Sequence, residues 1–286
     1  MTTAISDIDH IVIAVSDLDR ASATYRRLGF TLSPRALHSA SMGTANHTIM
    51  LQHDYFELLT VLTATERNLR WREALALGEG VAGLALVPTS AAAARDAWRG
   101  QGFNPSELVS FSRPVDRPDG SRTEARFEIV SLPKGSVPGA SVFACAQLTR
   151  DAVWLPELMR HANTATAIRR LVVALPNVSE GAISWSKALS GAQSAVINGG
   201  IRLSLGHHAV DLLQAGAAAR RYGLASVPKR AMAIAIEFAV ADVGKCRAAL
   251  IKGGVPAWAN GERTAVAPPH ANGVVVMMAP EGSPLA

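Results

Sequence analysis

The stretch IDHIVIAVSDLDRASATYRRLGF, residues 8–30, predicts a strand, a helix and the start of a second strand. Both faces of the first strand are largely apolar, which is typical of a strand that is covered on both sides. Alternation along this strand predicts that Ile8, His10 and Val12 point to the same side. Apolar residues then recur at helical spacing until Gly29, which is expected to end the helix in the left-handed conformation.

The same pattern returns in three later segments, which begin near Gly83, Arg170 and Ala235. Alignment of the repeats places these three residues at the position of His10. Internal repetition on this scale indicates an architecture built from equivalent units. Two further β-rich runs, 48–51 and 55–62, follow the first helix. Each unit is therefore predicted to be βαβββ.

The composition is typical of a compact protein with room for two domains, since the 286 residues are 49% hydrophobic and 18% charged. The net charge is +5, but the arginines are scattered and the aromatic content is only 5%, so we do not expect nucleic-acid binding. The start, MTTAISDID, lacks the basic and apolar regions of a signal peptide, and the longest apolar stretch is interrupted by Glu237. We therefore expect a cytoplasmic protein without a membrane partner. Cys145 and Cys246 are expected to be buried and reduced.

Several phrases of the sequence resemble the vicinal oxygen chelate superfamily, which includes glyoxalases, extradiol dioxygenases and bleomycin-resistance proteins, and resemble its glyoxalase-like branch most. These phrases are LHSASMGTANHTIML (37–51), DYFELL (54–59), FSRPVDRPDGSRTEARFEI (111–129) and VWLPELMRHANTA (153–165). The resemblance implies an α+β fold in which four βαβββ modules pair into two cupped mixed β-sheets with helices on the outside. It implies a glyoxalase-like domain at 6–148, formed by modules 1 and 2, and a second, degenerate one at 168–280, formed by modules 3 and 4.

A divalent metal on the concave side of the sheet is a further implication of the resemblance. The superfamily takes its ligands from the first and last strands of each module, and His10 and Glu57 match those positions in module 1. In module 2, Gln147 stands where the branch usually has a histidine. Imidazole and carboxylate suit Zn, Ni, Mn or Fe, but a neutral amide is a weaker ligand, so we expect the metal to be weakly held or absent. The second cup lacks matching ligands and is expected to be structural, a lid or one half of a homodimer.

Other residues are predicted to bind the substrate, each with a structural alternative. His38 and Asn46 belong to a polar stretch that either approaches a ligand or forms an ordinary loop before a strand. Arg113 and Arg126 suit a carboxylate or phosphate, or else join a surface ladder of ion pairs. His161 and Asn163 either cover the mouth of the first cup or form a capping turn between the domains. The adjacent His207 and His208 are expected to be solvated turn residues.

The function that these features favour is a metal-dependent lyase or isomerase of the glyoxalase type, acting on a small oxygenated or thiol-conjugated molecule in the first cup. Glu57 is the predicted catalytic carboxylate, with the metal stabilising an enediolate. The alternative is a non-catalytic protein that binds or sequesters a small molecule, as bleomycin-resistance proteins do. Dioxygenase chemistry is less favoured because the predicted site contains a single histidine.

Overall fold

The computed structural model describes residues 3–116, 120–226 and 228–285, which form two eight-stranded mixed sheets. The first sheet contains β1 (Ile5–Ala14), β2 (Ala36–Leu37), β3 (Thr44–Met50), β4 (Tyr55–Val61), β5 (Gly80–Pro88), β6 (Val109–Asp116), β7 (Arg122–Ser131) and β8 (Ser141–Gln147). The second contains β9 (Ala165–Leu175), β10 (Gln193–Ile197), β11 (Gly200–Leu205), β12 (His208–Gln214), β13 (Met232–Val240), β14 (Ala257–Asn260), β15 (Arg263–Val266) and β16 (Val275–Pro280).

The two sheets have equivalent strand orders, β2-β3-β4-β1-β5-β8-β7-β6 and β10-β11-β12-β9-β13-β16-β15-β14. In each sheet two βαβββ modules meet through their first strands, which pair antiparallel. Within each module the first and last strands pair parallel. This arrangement confirms the predicted fold of four modules in two cups; the domain limits of 6–148 and 168–280 stay predictions.

In the described ranges, six α-helices accompany the sheets. They are α1 (Leu18–Arg27), α2 (Leu69–Ala76), α3 (Ala91–Gly100), α4 (Val178–Ala188), α5 (Ala215–Tyr222) and α6 (Val243–Lys252). Buried apolar residues of α1, α3, α4 and α6 belong to one cluster that also takes in both sheets, so the convex faces share a core. Within it the indole of Trp98 donates to the carbonyl of Ala188 at 2.9 Å. Gly29 has φ +86°, as predicted for the end of α1.

The concave faces carry separate clusters of buried apolar residues, to which α2 and α5 contribute. Trp71 of α2 packs in the first cup and Tyr222 of α5 in the second. Cys145 and Cys246 are buried free thiols, as expected. Among the helices described, none combines the length and apolar character that crossing a bilayer requires. The cytoplasmic location and the homodimer stay predictions.

Strand register confirms the equivalence of the four modules. The pairs that join first and last strands are His10 with Tyr55, Gly83 with Ser141, Arg170 with Ala209 and Ala235 with Val275. Glu57 lies two residues after Tyr55 in the last strand of module 1. The same step along the last strand of module 2 reaches Phe143. Phe143 therefore stands at the position that corresponds to Glu57.

A β-bulge in β1 changes the predicted alternation. The register between β1 and β5 shifts between Ile8 and His10, so Asp9 is an extra residue without a paired neighbour. Bulges commonly re-aim side chains near functional sites. Ile8 consequently packs in the convex core rather than beside His10, which corrects the expectation that both point to the same side.

The second cup is filled by a buried ion network. Arg170, which occupies the position of His10, is only 2% exposed and contacts Asp211 at 2.8 Å and Glu237 at 2.6 Å. Residues 283–285 accept hydrogen bonds through their carbonyls from Arg169, Arg202 and Arg263. This cup therefore holds arginines that contact two buried carboxylates beneath the C-terminal segment. Its structural role stays a prediction.

His208 joins the two sheets, which corrects the expectation that it is solvated. The residue is 3% exposed; its Nδ1 contacts the carboxylate of Asp7, and its Nε2 lies 3.0 Å from Asp54 Oδ2. Its neighbour His207 is exposed, as expected. Burial alone would lower the pKa of His208, but hydrogen bonds to Asp54 and Asp7 outweigh it and raise the pKa to about 9. The protonated imidazolium therefore bridges two carboxylates of the first sheet.

This bridge predicts a loss of stability in alkali. Because the folded pKa of His208 exceeds the usual 6.5, its contribution is complete below about pH 6.5 and is lost as the pH rises through about 9. A shift of this size corresponds to roughly 3 kcal/mol. Urea unfolding between pH 6.5 and 10 should show the decline in wild type and in His207→Gln, and a flatter dependence in His208→Gln. A decline of equal size in His208→Gln would contradict the assignment.

Candidate active site in the first cup

The concave face of the first sheet surrounds a narrow cavity that encloses about 660 Å³ of empty space, including its open mouth. Polar groups on β1, β3, β4 and β6 meet aromatic side chains from β7, β8 and α2 around it. The predicted site residues that line this cavity are His10, His38, Asn46, Glu57 and Arg113. A mostly apolar pocket with a few convergent polar groups is typical of a small-molecule site.

His10 is held in place by a buried carboxylate. Its Nδ1 lies 2.5 Å from Asp9 Oδ1, and its ring stacks on Tyr55 with centroids 4.3 Å apart. The amide of Gln147 donates to both oxygens of Asp9 at 2.9 Å. Hydrogen bonding through Nδ1 fixes the ring and leaves Nε2 as the nitrogen available to a ligand. The bulge at Asp9 is what brings these two neighbours to the same side of the sheet.

Glu57 contributes a buried carboxylate to the same cavity. It is 7% exposed, and its Oε2 accepts a hydrogen bond from the side-chain amide of Asn46 on the adjacent strand. The carbonyl oxygen of that amide is buried without a hydrogen-bond partner among the described residues. Asn46 therefore orients the carboxylate and presents an unsatisfied acceptor of its own.

Two further lining residues remain uncharged at neutral pH. Burial lowers the pKa of His38, whose Nδ1 lies 2.7 Å from the hydroxyl of Thr44, and the electrostatic influence of Glu57 offsets this only in part. Burial also raises the pKa of the Cys145 thiol well above its usual range. A protonated buried thiol is a poor nucleophile, so Cys145 serves as a packing residue of the wall.

Four predicted site residues lie outside the cavity lining. Gln147 shares the strand face of Cys145 but contacts Asp9, and its service as a metal ligand stays a prediction. Arg126 is exposed. His161 bonds the backbone at Thr31 and Met50 through its two ring nitrogens, and Asn163 bonds Leu28 and Ala165. These backbone hydrogen bonds match the alternative that His161 and Asn163 form a capping turn between the domains, rather than a cover over the mouth of the first cup.

Three lining or supporting residues escaped the sequence analysis. Asp9 precedes His10 in the sequence, but simple alternation would place it on the opposite face, and only the bulge brings it beside the ring. Arg70 and Trp71 come from α2, in the segment that joins modules 1 and 2. Their pattern, NLRWREA, carries an indole and a guanidinium together, but it does not indicate that the helix covers a cup.

The donor set does not fit a tightly held divalent metal. Module 1 offers His10 and Glu57, but at the equivalent positions module 2 has Gly83 and Phe143. A Cβ atom on Gly83 would lie 2.8 Å from the Trp71 ring, so aromatic side chains fill this half of the site. Within 3–116, 120–226 and 228–285, no cluster of three His, Cys, Asp or Glu side chains is arranged to hold a metal ion. Catalytic metal centres usually have three protein ligands.

We therefore expect purified, tag-free protein to carry much less than one equivalent of metal. Replacing Phe143 with glutamate would add a carboxylate at the position equivalent to Glu57. It should raise zinc or manganese affinity at least about tenfold, or about 1.4 kcal/mol, whereas Phe111→Glu on β6, which is not equivalent to Glu57, should have a smaller effect. Elemental analysis and titration calorimetry measure both quantities. Near-stoichiometric metal in wild type, with no gain from Phe143→Glu, would contradict this reading of the donor set.

Comparisons with known proteins place this fold. Similar solved structures include a hypothetical protein from Staphylococcus aureus, with TM-score 0.67, 12% identity, and coverage of 96% of this chain and 98% of that chain. A mutant 4-hydroxymandelate synthase from Streptomyces coelicolor has TM-score 0.61 and 11% identity over 98% and 95% of the two chains. The Mn(II)-bound glyoxalase from Novosphingobium aromaticivorans has TM-score 0.56 and 15% identity over 97% and 82%.

These identities establish similarity of fold alone. No curated protein matches the sequence significantly. The family model described as a glyoxalase-like domain matches residues 8–189, which include every strand of the first sheet after the start of β1. Because this match spans well over half of the sequence, the chain belongs to the glyoxalase-like domain family, within the vicinal oxygen chelate superfamily.

Proposed function

We propose that the first cup binds a small oxygenated or thiol-conjugated molecule and moves a proton on it, which is lyase or isomerase chemistry of the glyoxalase type. The observation that carries the proposal is the Asp9–His10 pair at the cavity wall, with Nδ1 bound to the carboxylate and Nε2 left for the ligand. A carboxylate behind an imidazole orients the ring and stabilises its protonated form, as in other acid–base sites.

The proposed step needs only groups of this chain. His10 Nε2 takes a proton from a carbon next to a carbonyl, and the electron pair of the broken C–H bond forms the enolate double bond. Asp9 stabilises the resulting imidazolium. Return of the proton to the neighbouring atom completes an isomerisation, and departure of a leaving group completes a lyase reaction. In the isomerisation, Glu57, oriented by Asn46, is proposed to carry the second proton from the hydroxyl group of the substrate to the enolate oxygen.

A second candidate function is binding without catalysis, as in sequestration of a small drug-like compound. The observation that favours it is the aromatic filling of the module 2 half, where the rings of Trp71 and Phe143 meet edge to face with centroids 6.3 Å apart. Such a wall suits the body of an apolar ligand. The two candidates differ in whether His10 reacts with the ligand or only contacts it.

Solvent deuterium exchange distinguishes the candidates. The protein is incubated in D₂O with dihydroxyacetone and with the hemithioacetal of methylglyoxal and glutathione, and loss of the C–H signal next to the carbonyl is followed by proton NMR. Wild type should accelerate exchange, and His10→Gln should reduce the enzymatic rate by on the order of 100-fold or more. The exposed His270→Gln is the matched control and should keep the wild-type rate.

Two outcomes of this experiment would reject the catalytic proposal. If these compounds raise the melting temperature but exchange no faster with wild type than with His10→Gln, the cup is a binding pocket. If neither binding nor exchange occurs, the proposed class of substrate is wrong.

A further inference from the structure

Arg70 places a guanidinium in the first cup, and no carboxylate of the described residues contacts it. Its Nη1 donates to the hydroxyl of Ser131 at 2.8 Å, and its guanidinium carbon lies 4.4 Å from the centroid of the Trp71 ring. Its Nε is buried and has no hydrogen-bond partner among the described residues. Burial lowers the pKa of Arg70 to about 10, although Glu57 partly offsets this effect. The group remains charged at neutral pH, with unused donors.

Arg113 is the second guanidinium that lines this cavity. It projects from β6 and is half-buried. Within the part of the chain that the structure describes, its side chain makes no hydrogen bond or ion pair. Burial lowers its pKa, while Tyr55 and Glu57 act in the opposite direction. Two arginines thus face one cavity, and neither contacts a carboxylate of the described residues.

The second cup provides an internal comparison. There Arg170 is paired with both Asp211 and Glu237, and Arg202 contacts Asp211 at 2.6 Å. In the second cup these buried arginines therefore contact carboxylates of the same chain. A buried charge without a partner is costly, because it loses hydration and gains no compensating interaction. The unpaired arginines of the first cup are consistent with a partner that comes from outside.

The carboxylates of the first cup do not supply that partner. Asp9 is bound by His10 and Gln147, and one oxygen of Glu57 is bound by Asn46. Glu57 acts on both guanidinium groups through space without contacting either. Guanidinium donors that no described residue occupies thus lie beside an aromatic wall, which suits a small ligand with a single carboxylate.

We propose that the ligand of the first cup is a small organic monocarboxylate, whose carboxylate binds Arg70 and Arg113 and whose apolar part packs against Trp71 and Phe143. Guanidinium groups match the geometry of a carboxylate and can bind it through two hydrogen bonds. The inference rests on the proposed function in taking the first cup as the ligand site. It goes further by naming the class of ligand and two residues that determine specificity.

Calorimetric titration of the full-length protein tests this inference at constant ionic strength. The probes are benzoate and phenylacetate, with benzamide and phenylacetamide as neutral analogues of the same shape. Wild type should bind each acid at least about tenfold more tightly than its amide. Arg70→Gln and Arg113→Gln should each remove most of this preference. Arg67→Gln is the matched control, because Arg67 is exposed just before α2, does not line the cavity and should leave the preference unchanged.

Three results would overturn the inference. Equal affinity for acids and amides, absence of binding by both acids, or an acid preference that survives in Arg70→Gln and Arg113→Gln would each do so. Tighter binding of phenyl phosphate than of benzoate would replace the monocarboxylate by a phosphate. Should Arg70→Gln fail to fold, Arg113→Gln alone decides, since the Arg113 side chain makes no hydrogen bond or ion pair with the described residues. A wrong ligand class can be told apart from a wrong catalytic proposal, because the titration detects binding without turnover.

Discussion

Replacing Glu237 with alanine should lower the free energy of unfolding by about 3–5 kcal/mol, which is the usual effect of removing one partner of a buried ion pair. Glu237 is fully buried and contacts Arg169 at 2.9 Å, Arg170 at 2.6 Å and Arg263 at 3.4 Å. Its loss leaves these guanidinium groups with too little negative charge in a site closed to solvent. Urea unfolding followed by circular dichroism measures the change.

The exposed Glu262→Ala, in the turn between β14 and β15, is the control for this experiment and should stay within about 0.5 kcal/mol of wild type. A loss below about 1 kcal/mol for Glu237→Ala would mean that water or rearrangement compensates the arginines. In that case the second cup would not be a closed structural unit. The second cup would then no longer support the inference that Arg70 and Arg113, which contact no carboxylate of the described residues, bind a ligand.

Replacing Asp9 with asparagine should reduce the proposed proton exchange by on the order of 100-fold, as replacement of His10 does, although Asp9 does not line the cavity. The amide can donate a hydrogen bond to Nδ1, which would place the proton on Nε2 and block the proposed base. The melting temperature and the affinity for benzoate should change much less than the rate. Rate measurements across pH 5–9 test this, because a merely structural role would not alter the pH profile.

Two outcomes would contradict the proposed role of Asp9 as the support of a His10 base. If Asp9→Asn lowers the melting temperature and ligand affinity as much as it lowers the rate, Asp9 supports the fold rather than the chemistry of His10. If the rate is unchanged, the imidazole does not act as the base, and Glu57 becomes the leading candidate.

The repeats explain why the fold could be predicted from sequence. Each module encodes a buried strand, a helix with one apolar stripe and a stopping glycine, and these local signals agree with one another in four places. The positions of His10 and Glu57 in the first cup follow from strand alternation around them. Regular local structure of this kind is what sequence patterns determine best.

The remaining features depend on irregular or long-range geometry. The bulge at Asp9 is one extra residue in a strand, and no residue type in the sequence marks it. The pairing of Gly83 with Ser141 determines that Phe143 matches Glu57, and register across distant strands is not encoded locally. The burial of His208 depends on Asp7 and Asp54, which belong to the other sheet. Adjacent histidines after a glycine give no indication of that contact.

If His10, supported by Asp9, moves a proton in the first cup without a tightly held metal, removal of metal should not slow the exchange. Deuterium exchange is measured with protein that has been treated with a chelator and dialysed, in parallel with a sample resupplied with Mn(II). We expect the same rate in both samples and its loss in His10→Gln. Exchange that disappears on metal removal and returns with Mn(II) would contradict it, because His10 and Glu57 would then be acting as metal ligands.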